Sequence, residues 1–248
     1  MAEAPAAERS DRRARKAPRA VRRRQIIDAT VDAISRVGFA ETTLAEVARL
    51  CGMSQASLIF HFRTKDALLV ETLRHLSDEY REAWCAALEA APPDPLSRIC
   101  ALVAADFLPH LVQRKKVVAW HGLWAEAKSR PTYKRICGER DEERAEVMVE
   151  ACAALLASLE RPEGASKAQA ADVASIIDSL CDGLWQRLLM EHRSFTRADG
   201  LRIMFLQLRM LFPERAGEIE EQAEQLWRKR SERGRSAMQS RLGIRAQP

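Results

Sequence analysis

Apolar residues recur at steps of three and four along nearly the whole chain, which is the period of amphipathic α-helices. The first such face is formed by Ile26, Ala29, Ala33 and Val37, and Gly38 is placed to end that helix. The sequence shows neither the alternation of apolar and polar residues typical of strands nor a repeat of fixed length. The pattern therefore predicts an all-α fold.

Two very short helices are predicted next. Thr43, followed three residues later by Glu46, has the spacing of a capping box and starts a helix that Gly52 can terminate. Ser54 is placed to cap a second short helix that ends near His61. Helices of this length are unstable in isolation, so they must pack against the first helix and against the beginning of a fourth.

Longer amphipathic helices follow, several with a capping residue or a proline at the start. They are predicted from Thr64 to the Pro92-Pro93 break, at about 95–109, 114–129 and 131–159, from Ser166 onwards, and from Thr196 to Pro213. The last two carry long apolar stripes along one face. Beyond them we expect one or two amphipathic turns around Leu226 and Trp227, followed by a basic tail.

Composition narrows the class of protein. Of the 248 residues, 47% are hydrophobic and 30% are charged, which fits a folded chain with a sizeable core. The apolar runs are far shorter than the roughly 20 residues that cross a membrane, and the first residues are charged where an export signal is apolar. We therefore expect a cytoplasmic protein. The cysteines, glycines and histidines are scattered without the spacing of metal, phosphate-loop or catalytic sites, which predicts no metal, no cofactor and no enzymatic activity.

Positive charge is concentrated at the two ends of the chain. Residues 1–24 carry nine Lys and Arg against three acids, and residues 228–248 carry seven against one, so the body between them is acidic. Such ends can neutralise phosphates, but Arg-rich tails also act as solubilising segments. Residues 1–20 are expected to form a disordered basic arm. Residues 214–248 are expected to be a partly helical basic tail, which is either a second DNA-contacting arm or a disordered extension.

The two short helices have the outline of a helix-turn-helix. Their inward residues are predicted to be Leu44, Val47, Met53, Leu58 and Phe62, with small Ala48 allowing a close helix approach. In this motif the second helix enters a major groove about 12 Å wide with its amino end first. Gln55, Ala56 and Ser57 then face base edges, where Gln can bond adenine through two atoms and Ser can bond several bases.

This segment also has a known order and spacing of residues. The run consists of Val37-Gly38-Phe39, Thr42-Thr43, Val47-Ala48, Gly52-Met53-Ser54, and Leu58 through His61-Phe62 to Lys65-Asp66 and Leu68. It resembles the DNA-binding domain of the TetR family of bacterial regulators. The resemblance implies base contacts from Gln55, Ala56 and Ser57 and phosphate contacts from Thr43, His61 and Lys65. Ile59 departs from the pattern, because many relatives have a tyrosine there whose hydroxyl touches the DNA backbone.

Other basic residues near this segment are candidates for DNA contacts. Arg23 and Arg24, with the arm before them, can reach phosphates or a minor groove, and a solvated arm is the alternative. Lys65 lies in the first turn of the fourth helix, where a full charge and free backbone amides both attract phosphate.

Aromatic residues mark a candidate effector site in the second half of the chain. Trp120 and Trp124 lie on one helical face beside His121, and Trp185 follows Asp182 on a later helix. Segments 118–125 and 180–185 resemble the ligand domain of the BetI-type subgroup, whose members repress choline-to-glycine-betaine genes, and the same resemblance is shared by members with other ligands.

A quaternary ammonium compound is one effector that fits these residues, because such a cation binds well between aromatic faces. The candidates for a cage are Phe107, Trp120, Trp124 and Trp185, with His121 beside them and Asp182 as the counter-charge. The alternative is that the tryptophans fill a helical core and that Asp182 bonds a neighbouring helix.

The predicted organisation is a DNA-binding domain at residues 21–80, with the helix-turn-helix at 43–62, and a larger helical ligand-binding and dimerisation domain at 81–213. The resemblance implies a homodimer formed by the last two core helices, whose recognition helices read half-sites about 34–36 Å apart. The predicted function is a repressor that a small-molecule effector releases from a palindromic DNA operator. The alternatives are a related regulator of an unrelated efflux or catabolic operon and a helical adaptor that does not bind DNA.

Overall fold

The computed structural model describes residues 18–127, 129–159, 166–191 and 193–241, which form helices, turns and connecting segments without a strand. The helices are α1 Arg19–Val37, α2 Leu44–Leu50, α3 Gln55–His61, α4 Lys65–Glu89, α5 Pro95–Asp106, α6 Arg114–Ala127, α7 Pro131–Ser158, α8 Lys167–Met190, α9 Arg197–Leu211 and α10 Ala216–Arg241, with a 3-10 turn at Pro213–Arg215. The predicted all-α class is confirmed.

The described residues divide into two compact units. The first unit comprises the residues up to Glu79 together with Gln113–Glu139. The second unit comprises Tyr80–Val112 and the residues from Arg140 onwards. Helix α6 thus belongs to the first unit, although it lies within the segment 81–213, while α4 runs without a break from the first unit into the second.

The first unit is built around the short helices. Its buried cluster consists of Ile26, Ile27, Ala29, Ala33, Val47, Ala48, Leu58, Phe62 and Leu68, with Leu44, Leu50, Cys51 and Met53 partly buried against it. Every residue predicted to face inward in the helix-turn-helix therefore packs in this cluster. The short helices α2 and α3 are stabilised by these apolar contacts to α1 and α4, as helices of this length require.

The predicted caps of the short helices are present, with one difference. The Thr43 hydroxyl accepts a hydrogen bond from the Glu46 amide at 3.2 Å, but the Glu46 carboxylate binds Arg49 at 2.7 and 2.8 Å. Only one half of the capping box is therefore observed. The Ser54 hydroxyl accepts from the amide three residues later at 3.2 Å. Between the two helices, Gly52 adopts a φ of 63°, a left-handed conformation that favours glycine.

The second unit buries the apolar stripes of α8 and α9. The buried residues include Ala174, Ile177, Cys181, Leu184 and Trp185 on α8, and Leu201, Met204, Phe205 and Leu208 on α9. Helix α9 begins with a complete capping box, in which the Thr196 hydroxyl accepts from the Asp199 amide and the Asp199 carboxylate accepts from the Thr196 amide. This reciprocal pairing fixes the start of α9 where the sequence predicted it.

Two helix lengths differ from the predictions. Helix α5 ends at Asp106, three residues earlier than expected, because Pro109 disfavours helical geometry in the residue before it. Helix α10 is far longer than one or two turns. Its beginning is buried through Ile219 and Ala223, and Gln222 donates a hydrogen bond to the Ser97 hydroxyl at 2.7 Å. These contacts to α5 stabilise a helix whose own sequence is strongly polar.

Several predictions concern residues outside the described part of the chain or features sought only within it. The predicted arm at 1–20 lies outside the described residues except for its end, where α1 already begins at Arg19. The end of the tail, 242–248, also lies outside them. Among the described residues, no helix is long and apolar enough to cross a membrane. In the same part of the chain, no group of three or more His, Cys, Asp or Glu side chains is arranged to hold a metal ion.

Candidate functional site

Helix α3 presents the predicted base-contacting residues on its exposed side. Gln55, Ala56 and Ser57 are exposed, whereas Leu58 is completely buried in the cluster of the first unit. Successive side chains of a helix point to different faces. Leu58 can therefore hold α3 against the cluster while the side chains beside it face outward. Their contacts with bases remain a prediction, but their placement is the one that major-groove reading needs.

Arg23 fixes the end of this helix in place. Its guanidinium donates to the His61 carbonyl at 3.1 Å and to the Glu71 carboxylate at 3.0 Å, and its Cζ lies 4.4 Å from the centroid of the Phe62 ring. Arg23 thereby joins α1, the end of α3 and α4. The sequence predicted Arg23 as a DNA contact, and the structure shows a positioning role that sequence spacing does not reveal, because the partners are 38 and 48 residues away.

The three predicted phosphate-contacting residues are held in different ways. Thr43 caps α2, which is compatible with an outward phosphate contact. Lys65 donates to the Ala40 carbonyl at 2.8 Å from the first turn of α4. An ammonium group has three donors, so this bond leaves capacity for a phosphate. Burial, and then the charges of Arg19, Arg22 and Arg23, lower the pKa of His61. Its contact with a phosphate remains a prediction.

Two apolar side chains of α3 are exposed. The exposed fraction is 41% for Ile59 and 76% for Phe60. Phe60 lies one helical turn after Ala56 and therefore on the same face. Sequence reasoning considered Ile59 and missed Phe60, although the four-residue spacing from Ala56 was a usable signal. A contact of these side chains with deoxyribose or thymine methyl groups is a prediction.

Arg24 lines a cavity within the first unit. It bonds the Asp28 carboxylate at 3.1 Å and Nδ1 of His75 at 3.2 Å. The cavity has a volume of about 240 Å³ and is lined by Arg24, Asp28, Val31, His75, Leu76, Gln113, Lys115 and Lys116. Its cations are paired, since Lys115 binds Asp32 and Lys116 binds Glu79. Arg24 therefore acts within the fold, and a DNA contact from it remains a prediction.

The predicted effector residues fall into both units. In the first unit, the Trp120 and Trp124 rings on α6 lie 5.8 Å apart, and His121 lies 6.1 Å from Trp124. Trp120 is buried, Trp124 is half-buried, and Nδ1 of His121 lies 2.8 Å from the Val117 carbonyl. The adjacent placement expected from the sequence is therefore present for these three residues.

The remaining effector candidates lie in the second unit. Phe107 is buried against Gly200, where an added Cβ would lie 2.5 Å from Cε1 of the ring, so that face of the ring is already filled by α9. Trp185 is buried and its indole N–H donates to the Asp106 carbonyl at 3.0 Å. Asp182 is exposed on α8. The predicted pairing of Asp182 with an aromatic cage remains a prediction.

The second unit contains a buried polar network that the sequence did not reveal. The Asp106 carboxylate accepts from the Tyr80 hydroxyl at 2.7 Å, from the Arg144 guanidinium at 2.6 Å and from the Cys181 thiol at 3.3 Å. Arg144 also donates to Asp178 at 2.7 Å. Asp106 is 1% exposed, and the side chain of Arg144 is 8% exposed. The one available signal was an acidic residue directly after the apolar run 99–105.

Burial governs the protonation of this network. Burial raises the pKa of Asp106 above its ordinary value, although the Arg144 charge and the hydrogen bonds from Tyr80 and Cys181 act in the opposite direction. Burial and then the Asp106 charge raise the pKa of Tyr80 and of Cys181 well above their ordinary values. Tyr80 and Cys181 therefore stay protonated and act as donors.

Comparisons with known proteins agree with this arrangement. Residues 26–72 match the family profile described as "Bacterial regulatory proteins, tetR family", and residues 95–213 match "BetI-type transcriptional repressor, C-terminal". The HTH-type transcriptional regulator BetI of Paraburkholderia xenovorans is 32% identical over 184 residues, which cover 74% of this chain and 90% of that protein.

Solved structures share the fold at lower sequence identity. A transcriptional regulator from Pseudomonas aeruginosa PAO1 is 21% identical with a TM-score of 0.66, covering 82% of this chain and 96% of its own. A regulator from Saccharomonospora viridis in complex with choline is also 21% identical, with a TM-score of 0.64 and coverage of 75% and 94%. The solved structures show the shared fold. The two family profiles and the identity to the BetI protein show that the chain belongs to the TetR family of bacterial transcriptional regulators, in its BetI-type group.

Proposed function

We propose that the protein is a dimeric, sequence-specific DNA-binding repressor that leaves a palindromic operator when it binds a small-molecule effector. The observation that carries this proposal is the exposed row of Gln55, Ala56 and Ser57 on a helix that Leu58 and Arg23 fix in place. A rigid helix with short polar side chains at its amino end suits base reading in a major groove. A regulator of this kind performs no chemical step, so we propose no catalytic residue, and it acts in the cytoplasm, where the DNA is.

The first prediction of this proposal concerns DNA binding. In an electrophoretic shift assay with DNA from upstream of the gene, Gln55→Ala should weaken operator binding by about 1–3 kcal/mol and relax the preference at one base pair. Lys65→Ala is the matched comparison. It should weaken binding to all sequences alike and reduce the slope of log K against log salt by about 1. A wild-type protein that shifts no upstream DNA even at low salt would favour the adaptor alternative.

A homodimer is supported by an exposed apolar surface on α8 and α9. The exposed fraction is 46% for Ile176, 48% for Leu206, 72% for Met190 and 75% for Met210. A shallow groove of about 540 Å³ lies on the same two helices, lined by Asp172, Ser175, Ile176, Ser179, Leu180 and Gln207. Two helices with exposed apolar faces can pair with their copies across a two-fold axis to form a four-helix bundle. That pairing brings two recognition helices to one operator.

The second prediction tests this surface. Met210→Glu should shift the mass measured by light scattering from dimer to monomer, because the two-fold axis places the new charges in an apolar contact. We expect the dimer dissociation constant to rise by at least about 100-fold. Ala157→Glu adds the same charge at an exposed position of α7 and should leave the mass unchanged. If the Met210→Glu variant stayed dimeric, α9 would be excluded from the interface.

Release by an effector is supported by the continuity of α4. This helix carries Lys65 in its first turn and continues to Glu89 in the second unit. An effector that prefers one position of α4 shifts the protein towards a state whose two heads do not span both half-sites. The choline complex of the Saccharomonospora viridis regulator and the BetI relatives favour a choline-type effector and a role in choline and glycine betaine metabolism. An effector of an unrelated efflux or catabolic operon is the second candidate, since the helix geometry serves either.

A further inference from the structure

The hydrogen bonds around Asp106 suit a negatively charged side chain. Its three side-chain partners, Tyr80, Arg144 and Cys181, are all donors. A protonated carboxyl group would need an acceptor for its own hydrogen, whereas an ionised one only accepts. These partners suit an ionised carboxylate in the interior of the second unit, and the Arg144 charge favours that form against the effect of burial.

The network around this carboxylate has an excess of negative charge. Asp106 and Asp178 carry two negative charges, and Arg144 supplies one positive charge between them. Electrostatic interactions are strong where water is excluded. A network with surplus negative charge, part of it buried, favours a cation and disfavours an anion.

The hydrogen-bonding groups of Arg144 are only partly satisfied at this position. Its Nε is buried and has no hydrogen-bond partner among the residues that the structure describes, and its side chain is more than nine-tenths buried. A buried donor without an acceptor weakens the net stabilisation that the side chain provides there. Asp178, whose side chain is 31% exposed, can keep the guanidinium paired if Arg144 leaves Asp106. Exchange of Arg144 for another cation therefore leaves no charge unpaired.

We propose, building on the function proposed above, that Arg144 is an internal stand-in for the effector. An organic cation without N–H donors takes its place between the Asp106 carboxylate and the Tyr80 ring, and Arg144 turns to Asp178. The Cζ of Arg144 lies 6.0 Å from the centroid of the Tyr80 ring, so a cation already occupies the distance at which aromatic faces attract positive charge.

The class of cation follows from the remaining bonds. After Arg144 leaves, Asp106 keeps the donors of Tyr80 and Cys181 and needs no further hydrogen bond. The Trp185 ring borders the Tyr80 ring edge-on at 6.3 Å and adds a second aromatic wall. A site that offers a negative charge and aromatic rings, with no acceptor that needs a further donor, suits a quaternary ammonium group, which is positively charged and has no N–H.

Replacement of Arg144 by a bound cation can also affect the helix-turn-helix, through helix α4. Tyr80 belongs to α4, the helix that begins at Lys65. A cation that seats against the Tyr80 ring therefore acts on the helix that carries a predicted phosphate contact. Loss of operator affinity on cation binding is the expected result.

The test uses choline, tetramethylammonium and 3,3-dimethylbutan-1-ol, the neutral carbon analogue of choline, with the full-length protein in a calorimetric binding assay. Wild type should bind both cations and not the alcohol. Asp106→Asn should weaken choline binding by at least about 30-fold. Glu150→Gln, which changes an exposed carboxylate on α7, should bind choline as the wild type does. Binding of neither cation, equal binding of the alcohol, or unchanged affinity in Asp106→Asn would overturn the proposal.

A second measurement keeps the test decisive if Asp106→Asn does not fold. The Nε–H resonance of Arg144, assigned by its loss in Arg144→Lys, should shift and exchange faster with water when choline saturates the wild type. An unchanged resonance would overturn the exchange. Operator binding without choline is measured in parallel, so failure of the repressor function appears as a missing DNA shift, while failure of the cation site appears in the binding assay alone.

Discussion

Leu58→Ala is expected to lower the free energy of unfolding of the first unit by about 2–5 kcal/mol. Leu58 is completely buried and is the residue of α3 that enters the cluster beneath the helix-turn-helix. Its truncation removes apolar contacts and leaves a cavity that a seven-residue helix can close only by moving. Operator affinity should fall together with stability, because the row of base-contacting residues is then no longer held in register. Urea unfolding monitored by circular dichroism and the shift assay measure the two effects.

Ile59→Ala is the matched control for this prediction. It truncates a similar aliphatic side chain at the next position of the same helix, where 41% of the surface is exposed. Exposed substitutions of this kind usually change stability by less than about 0.5 kcal/mol. If Leu58→Ala unfolded no more easily than Ile59→Ala, Leu58 would not anchor α3.

The sequence predicted those parts of the fold that depend on local signals. The caps at Thr43, Ser54 and Thr196 each act through an amide three residues away, so their spacing is visible in the sequence. The inward residues of the helix-turn-helix were predictable for the same reason, because a period of 3.6 residues sorts side chains onto faces. The starts of most helices and the exposed row on α3 followed from these two rules.

Features that depend on distant partners were not predictable in this way. Arg23 has the composition signal of a DNA-contacting arm, yet its guanidinium binds His61 and Glu71, and nothing in the local sequence marks those partners. Helix α10 has a polar sequence and forms because α5 and α9 offer it contacts. In both cases contacts with distant segments of the chain decide the structure, and the local sequence does not show those contacts.

The candidate effector site also depends on distant partners that the local sequence does not indicate. Aromatic residues drew attention to Trp120, Trp124 and Trp185, since aromatic spacing is visible in a sequence. The acid with the most unusual surroundings is Asp106, whose partner Arg144 lies 38 residues away in a strongly charged segment. A charged segment usually predicts a solvated face, so the sequence carried no sign that Arg144 is buried.

Arg144→Met should lower the free energy of unfolding by about 3–5 kcal/mol at neutral pH, because it leaves the buried Asp106 carboxylate without a cation. The deficit should depend on pH with a defined sign. Without the guanidinium, the pKa of Asp106 in the folded variant lies still further above the value of about 3.9 expected in the unfolded chain. Protonation of Asp106 stabilises the folded variant. This contribution to the free energy of unfolding is complete below the unfolded pKa and is lost as the pH rises through the folded pKa. The variant should therefore unfold more easily at pH 8 than at pH 5, relative to wild type.

The double variant Arg144→Met with Asp106→Asn separates charge from shape. It removes both ionised partners and should recover most of the lost stability, since the cost of the single change is mainly an uncompensated buried charge. A single variant that loses less than about 1 kcal/mol with no pH dependence would contradict a buried ion pair. Choline should also raise the melting temperature of Arg144→Met more than that of wild type. A ligand stabilises the folded state more when it binds more tightly, and in the variant it has no side-chain cation to displace from Asp106.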